Sequence, residues 1–593
     1  MTSSSLTRAT ILPHRPLRPT AELLDEGRAL ARDWQVGPCP FLAQADVASE
    51  ADYKRACMAQ GRVMQHAQVG FRDPAKSRRA YAGIHEACAA RGVTVDRYGI
   101  CLDWSMGYPR AGREGRPRGT GLLIEGPEDF AALTAMAPVA PHFGDFVLGF
   151  PAAVENTQAA LAAGSTAIGN LGQYFTFRLP DWDDEVALTE ATVTALGLIA
   201  AQEVEVLVHS NLDDGFAAVF ADLASALGAA LVEIAIVEDL IGARVSHCYG
   251  HHFSDPLTRI AFQRALARIG RSPGTMVYGN TVSYRGGPAE NMASLAGYLT
   301  ADILAQRALP SGHAVNPVPV SENERIPEIE EIVEAQLFAA RLIEQSEGYA
   351  PLLDMAEADR LADRLIEGAE RFKTRLFAGL GEAGIDTGDA AELLLALRRI
   401  GGKRLEELFG PGAPDQRAPR GRVPLVPATT LEEIAALSRE RLARIAPGAR
   451  AELESAGLTV AVASTDVHEH GKLLVETLLQ GLGVALHDGG VSTDPDDLAR
   501  LARDEAVDAV AVSTYNGVAL RFAEALTAEL ARLDHPVPLL IGGRLNQIPE
   551  GSNSSLPVDV TTELGAAGVT VCREIEDMVP ALLALAGRSD EES

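Results

Sequence analysis

Two hydrophobic rhythms alternate along this chain. Between about residues 95 and 320, short apolar runs alternate with longer stretches whose apolar residues fall three and four apart. The runs Tyr98–Trp104, Gly119–Ile124, Asp145–Phe150, Ala167–Leu171, Glu205–His209, Leu231–Val237, Met276–Asn280 and Ala314–Pro317 read as buried strands. Helical spacing marks Ala153–Ala163, Glu185–Ala201, Gly215–Leu227 and Pro256–Ile269. Repeated strand–helix units over this length predict a (β/α)8 TIM barrel. Further helices are expected over Ile326–Gln345 and Ala356–Leu380, and Pro414, Pro419 and Pro424 mark a linker. Beyond it, Leu458–Ala463, Val507–Val512 and Val537–Ile541 read as strands of a second α/β unit. The expected organisation is an extended N-terminal arm over 1–40, a barrel over 41–345, a helical segment and linker over 346–425, and a second domain over 426–593.

Composition narrows the class. A chain of 593 residues, 47% hydrophobic and 22% charged, is long enough for two or three folded domains. The net charge of −29, from 52 basic and 81 acidic residues, speaks against nucleic acid or an anionic membrane as partner. The six cysteines contain no C-x-x-C pair, which fits a reducing cytoplasm better than a zinc site or a disulfide framework. The N-terminus lacks an apolar signal core and no uninterrupted apolar run is long enough to span a bilayer, so a cytoplasmic protein is expected.

The chemistry is densest at Asp466-Val467-His468-Glu469-His470-Gly471, directly after a predicted strand. An imidazole on a strand-to-helix loop suits a metal approached from one side, and a carboxylate two residues earlier can fix its tautomer. Gly471 lets a bulky group approach the backbone. Downstream, Ser513-Thr514-Tyr515 and Gly542-Gly543 end the next two predicted strands. This D-x-H-x-x-G, S-x-L, G-G series resembles the flavodoxin-like (Rossmann-type) domain that binds cobalamin base-off, with Tyr515 standing where that family has Leu. The resemblance implies His468 as the lower ligand of the cobalt and Asp466 as its orienting partner. It implies Gly471, Ser513, Tyr515, Gly542 and Gly543 as further cofactor-binding residues.

Polar residues also collect after the predicted barrel strands: Asp103-Trp104-Ser105, Asn170 to Tyr174, His209-Ser210-Asn211 and Asn280-Thr281. Active-site loops of a barrel lie at that end. Pro151 to Thr157, Gly169 to Tyr174 and Pro317 to Val320 make the barrel resemble the glutamate mutase catalytic subunit and 2-methyleneglutarate mutase. Those enzymes are adenosylcobalamin-dependent carbon-skeleton mutases, isomerases that move a carbon group between adjacent atoms by radical chemistry. The resemblance implies adenosylcobalamin as cofactor and a small acid, free or as a thioester, as substrate; a homodimer is expected. Candidate catalytic residues are Glu155, Asn170, Gln173, Tyr174, His209 and His251. Asp103, Asn280 and two arginines of the basic loop, Arg110 and Arg118, are candidates for binding substrate, since Arg suits bidentate pairing with carboxylate. The same loop also reads as a solvated basic turn. His247, His251 and His252 read equally as polar lining, as packing or, less readily, as a metal site. The five lysines lie in no Schiff-base motif, which speaks against an aminomutase. The alternative from another class is a corrinoid methyltransferase or methylcobalamin carrier, whose helical cap could correspond to residues 345–410.

Overall fold

The computed structural model describes residues 6–12, 16–116, 118–119, 121–251, 253–284, 286–322, 325–465, 469–515, 517–547 and 557–592. It divides into two units, Met1–Phe175 with Asp183–Thr429, and Thr176–Trp182 with Thr430–Ser593.

The first unit is a (β/α)8 barrel. Its strands are β1 (His66–Val69), β2 (Arg97–Ile100), β3 (Ala140–Phe143), β4 (Ala167–Ile168), β5 (Leu207–Ser210), β6 (Arg244–His247), β7 (Met276–Val277) and β8 (Ala314–Val315). Strands β1 to β6 pair in chain order, all parallel, and β7 pairs with β8. Closure from β8 to β1 runs through the Gln65–Val315 bridge, with Val315 N donating to Met64 O at 2.9 Å. Among the described residues β6 and β7 form no ladder. That seam is spanned by Tyr278 N donating to Tyr249 O, 3.1 Å, and by His313 Nε2 with the carbonyl of His247, 3.0 Å.

A helix follows each strand: Pro74–Ala89, Pro127–Thr134, Ala153–Ala162, Glu185–Ala200, Leu223–Ile234, Pro256–Ile269, Pro288–Ala308 and Ile329–Tyr349. Four begin on an aspartate, Asp73, Asp184, Asp222 and Asp255, whose carboxylate accepts a first-turn N–H. That satisfies a donor the helix itself leaves open. The barrel interior is polar. Arg97 Nε donates to Glu50 Oε1 at 2.8 Å, and Lys54 Nζ donates to the carbonyls of Thr275 and Gly312, each at 2.9 Å. Burial first, and Arg97 second, holds His66, His142 and His209 neutral, their pKa values well below the ordinary range.

Several expected elements differ. The described residues of Gly119–Ile124 form no strand; Leu122 makes an isolated parallel bridge to Leu102, just past β2. Leu231–Val237 is helical, ending the helix Leu223–Ile234 and entering a π turn. A helix buried on every side shows the same continuous apolar run as a buried strand. The third strand is Ala140–Phe143, not Asp145–Phe150. Strands β1 and β6 read His-Ala-Gln-Val and Arg-Val-Ser-His, so no apolar run announced them. The N-terminal arm is not extended throughout: Thr20–Leu30 is a helix, its Thr20 Oγ1 donating to Asp389 Oδ1 at 2.7 Å. Helices Ala356–Glu382 and Ala390–Phe409 belong to the barrel unit. Gly228 lies so close to Phe372 that a Cβ would sit 2.7 Å from its ring, and Glu406 accepts from the N–H groups of Ala221 and Asp222 at 2.7 and 2.9 Å.

The second unit has a parallel sheet of β9 (Thr459–Ser464), β10 (Ala485–Gly490), β11 (Ala509–Thr514), β12 (Leu539–Gly543) and an edge strand, Thr570–Cys572. The spatial order is β10–β9–β11–β12–edge. Numbered from β9 this is 2-1-3-4-5, the flavodoxin-like order. Side chains alternate between two cores. Ala461, Ala463, Val510 and Val512 pack with Leu498, Phe522 and Leu526 on one face. Val460, Val462, Ala509 and Ala511 pack with Leu453, Leu478 and Leu582 on the other. This period-two division is what a sheet covered by helices on both faces requires. Among the described residues no helix is long and apolar enough to cross a membrane.

Candidate functional site

The C-terminal ends of the barrel strands carry the first group of candidates. Asp103, after β2, is fully buried. Its Oδ1 accepts from Ser105 N, Ser105 Oγ and Gly119 N at 2.9, 2.6 and 3.2 Å. It thereby caps the turn Trp104–Gly107 and draws in the loop that follows. The basic loop separates into two kinds of arginine. Arg113 is buried and donates to the carbonyls of Met106, Tyr108 and Ile124, while Arg116 lies 4.9 Å over the Tyr108 ring. These two shape the loop. Arg110 is exposed, and its backbone N–H donates to Glu155 Oε1 at 2.6 Å, so Glu155 holds the loop's backbone. Arg118 is half-buried, and its Nε has no hydrogen-bond partner among the described residues.

Asn170 staples two loops: its Oδ1 accepts from Gly172 N at 2.9 Å and from Asn211 N at 2.7 Å. Tyr174 is turned into the packing, its hydroxyl 2.8 Å from Thr189 Oγ1 on the helix Glu185–Ala200 and Arg398 lying against its ring. That corrects the expectation that Tyr174 faces substrate. His209 lies inside the barrel, with Nδ1 2.8 Å from Thr275 Oγ1 and its ring 4.5 Å from that of His142. Asn280 donates to the carbonyl of Phe253 at 2.8 Å. His251 stacks 4.1 Å from Tyr278, and its N–H reaches the Asp213 carboxylate. His247 instead meets Glu233, Nε2 to Oε2 2.7 Å. Among the described residues, then, the histidines do not gather as a metal site, and His252 lies outside them.

Carboxyl groups that the strand assignment obscured mark the mouth more clearly. Asp145 follows β3 and accepts from Gln173 Nε2 at 3.5 Å, while Gln173 Oε1 accepts from Phe146 N at 2.9 Å. Burial, then Asp214, pushes the Asp145 carboxyl up to about 7. Burial, then Asp214, Glu322 and Asp145, keeps Tyr278 protonated. Burial, then Asp145 and Glu322, does the same for the Cys101 thiol. Cys101, Asp145, Asp214, Tyr278 and Glu322 follow β2, β3, β5, β7 and β8 in the chain. Each acid stands a few residues past a true strand end, a signal that correct strand positions would have exposed.

The second group lies at the C-terminal edge of the second unit's sheet. Ser464, Ser513 and Gly542 stand side by side in register on β9, β11 and β12. Thr465 N donates to Ser513 O at 3.0 Å, tying the exit of β9 to β11. Asp466 and His468 lie outside the described residues; the helix Glu469–Gly481 begins just after them. Its Gly471 comes so near β11 that a Cβ would sit 2.6 Å from Ser513 Oγ. Gly543 ends β12 at φ +96°, where a Cβ would lie 2.3 Å from Thr514 O. Tyr515 is 36% exposed. Lys472, buried, pairs with Glu476 and with Asp488 Oδ1 at 2.6 Å, fixing the helix start to β10. Strands β9 and β11 are where the order reverses, and ligands of such sheets bind in that crevice at the strands' C-terminal ends. The described part of this edge fits a corrinoid: a hydroxyl on the β11 edge and a β12 end bare of side chains.

No curated protein matches the chain. A crystal structure of "a novel cobalamin-binding protein from Desulfitobacterium hafniense DCB-2" is 16% identical, with a TM-score of 0.19, covering 26% of this chain and 83% of that one. Residues 457–562 match the B12 binding domain model. That match lies within the second unit and spans β9 to β12.

Proposed function

We propose that this chain is an adenosylcobalamin-dependent mutase that rearranges the carbon skeleton of a small carboxylate-bearing substrate. The observation that carries the reading is a closed eight-stranded barrel, polar at its mouth, in one chain with a B12-binding domain. Radical rearrangement needs a chamber that excludes water and holds the substrate between polar anchors. When bound, adenosylcobalamin supplies a carbon-centred radical by homolysis of its cobalt–carbon bond. His468 would ligate the cobalt and Asp466 orient its ring. Ser513, Tyr515, Gly542 and Gly543 would hold the rest of the cofactor, with Gly471 allowing the close approach.

Within the barrel, Arg118 is the better placed of the two candidate anchors, because it is half-buried while Arg110 is exposed. Asp145, protonated over part of the neutral range, can donate a hydrogen bond to a substrate carboxylate or carbonyl. His251 and Tyr278 supply a stacked polar wall. The corrinoid methyltransferase reading expects helices capping the corrin. Helices Ala356–Glu382 and Ala390–Phe409 instead belong to the barrel unit, which favours the mutase.

The test is electron paramagnetic resonance on the full chain loaded with adenosylcobalamin and offered small acids and their thioesters. A cob(II)alamin signal coupled to an organic radical is expected with one of them. His468→Ala should remove the nitrogen hyperfine coupling to cobalt. Methyl transfer from methylcobalamin without any radical signal would replace the mutase with the methyltransferase.

A further inference from the structure

The turn that leaves β12 begins with an arginine. Gly542 and Gly543 end the strand without side chains, and Arg544 follows at once. Two hydrogen bonds fix its backbone. Arg544 N donates to Thr514 O at 2.7 Å, and Asn546 N donates to Arg544 O at 2.8 Å. Just beyond, Asn546–Gln547 pairs with Val558–Asp559, and Gln547 also bridges to Val518 before the helix Ala519–Arg532. Arg544 therefore stands at the C-terminal edge of the sheet on backbone held from both sides.

Nothing in the protein engages its side chain. Arg544 is half-buried, and among the described residues its guanidinium has neither a hydrogen-bond nor an ion-pair partner. Its nitrogens keep accessible surface, so a ligand can reach them. Other cations of this unit differ. Arg441 pairs with Glu574 and Glu576, and Lys472, the unit's single lysine, pairs with Glu476 and Asp488. Arg573, past the end of the neighbouring edge strand, is exposed. Arg521 is half-buried too, but it is the third residue of the helix Ala519–Arg532 and does not end a strand. A half-buried guanidinium has lost part of its hydration, and a charged hydrogen-bond partner restores it.

The chemistry of the cofactor selects that partner. The corrin periphery carries neutral amides. The nucleotide loop of cobalamin carries a phosphodiester, the one peripheral anion of the molecule. A chain of net charge −29 repels such a group at long range, so holding it calls for a local cation. The planar guanidinium fork matches two phosphate oxygens at once.

We propose that Arg544 pairs with the phosphodiester of the cobalamin nucleotide loop, and so lets this edge select complete cobalamins over corrinoids that lack the loop. The pairing rests on the reading of this edge as a cobalamin site and is independent of the mutase reaction.

The experiment is titration calorimetry on the full chain with three probes: adenosylcobalamin, adenosylcobinamide, which lacks the whole loop, and adenosylcobinamide phosphate, which keeps the phosphate without the base. Arg544→Gln removes a side chain that bonds nothing in the protein, so the fold should be untouched. It should weaken adenosylcobalamin and adenosylcobinamide phosphate by about tenfold and leave adenosylcobinamide unchanged. Arg544→Lys, which keeps the charge but not the fork, should recover part of the loss. The visible spectrum of bound adenosylcobalamin should be the same in all three proteins, because the cobalt ligand is not altered. Equal adenosylcobalamin affinity in wild type and Arg544→Gln would overturn the pairing and leave the cobalamin site standing. An equal loss for adenosylcobinamide would do the same, since that probe has no phosphate to lose. If no probe binds the wild-type chain, the pairing and the cobalamin reading fall together.

Discussion

Gly543 shows what one residue decides. At φ +96°, with Thr514 O 2.3 Å from where a Cβ would stand, any other residue must both adopt a left-handed backbone and displace a neighbouring strand. Gly543→Ala should destabilise the second unit by about 2 kcal/mol or more and weaken cobalamin binding, measured by urea unfolding and calorimetry. Asp145 gives the pH prediction. A carboxyl with a higher pKa in the folded state binds its proton more tightly there, so the native state is favoured in acid. That advantage is lost as pH rises through the window from 3.8 to about 7. Asp145→Asn should therefore raise the thermal midpoint at pH 8 and leave it nearly unchanged at pH 4. A loss of turnover in the same variant would separate a working carboxyl from a merely buried one.

At the scale of elements, the helix Ala356–Glu382 is the sharpest test. Phe372 is 1% exposed and lies against Gly228 of the helix Leu223–Ile234. Phe372→Ala should cost roughly 3–5 kcal/mol of barrel stability, read by denaturant unfolding, and leave cobalamin affinity unchanged. A methyltransferase-type cap would show the reverse. Elements were legible where sequence pattern and burial agreed. Pro256–Ile269 matches to the residue, since Asp255 caps it, Pro256 opens it and Gly270 follows it. Ser513 and the Gly542-Gly543 pair were legible as strand ends, and Ser513 and Gly542 stand in one row of the register; Asp466 and His468 lie outside the described residues. What failed had a physical cause. Strand β1 carries His66 and Gln68, and the neighbouring strands bury Arg97, His142 and His209, so β1 looked polar and was passed over. Leu231–Val237, the end of a helix buried along its whole length and the π turn after it, looked like a strand. Tyr174 showed a polar residue after a strand but not the direction of its side chain, and Thr189 decided that.

For the whole molecule, the two units differ in how far each can stand alone. Residues 426–593 contain all five strands of the second sheet and both of its cores. The excised fragment should fold, shown by circular dichroism, and bind cobalamin by calorimetry. Its urea midpoint should nevertheless fall below that of the same unit in the intact chain, because Thr176–Trp182 also belongs to that unit. Asp181 N donates to Asp494 Oδ2 at 3.1 Å across 313 residues of sequence. During synthesis at about 5–20 residues per second, Asp181 leaves the ribosome on the order of 15–60 s before Asp494. For that interval the short segment has no place to settle, and Leu179, only 2% exposed in the finished fold, is available to proteases and chaperones. Biosynthesis thus imposes an order of events: the barrel can close while its chain is still growing, but the loop after β4 must wait for the C-terminus to be made.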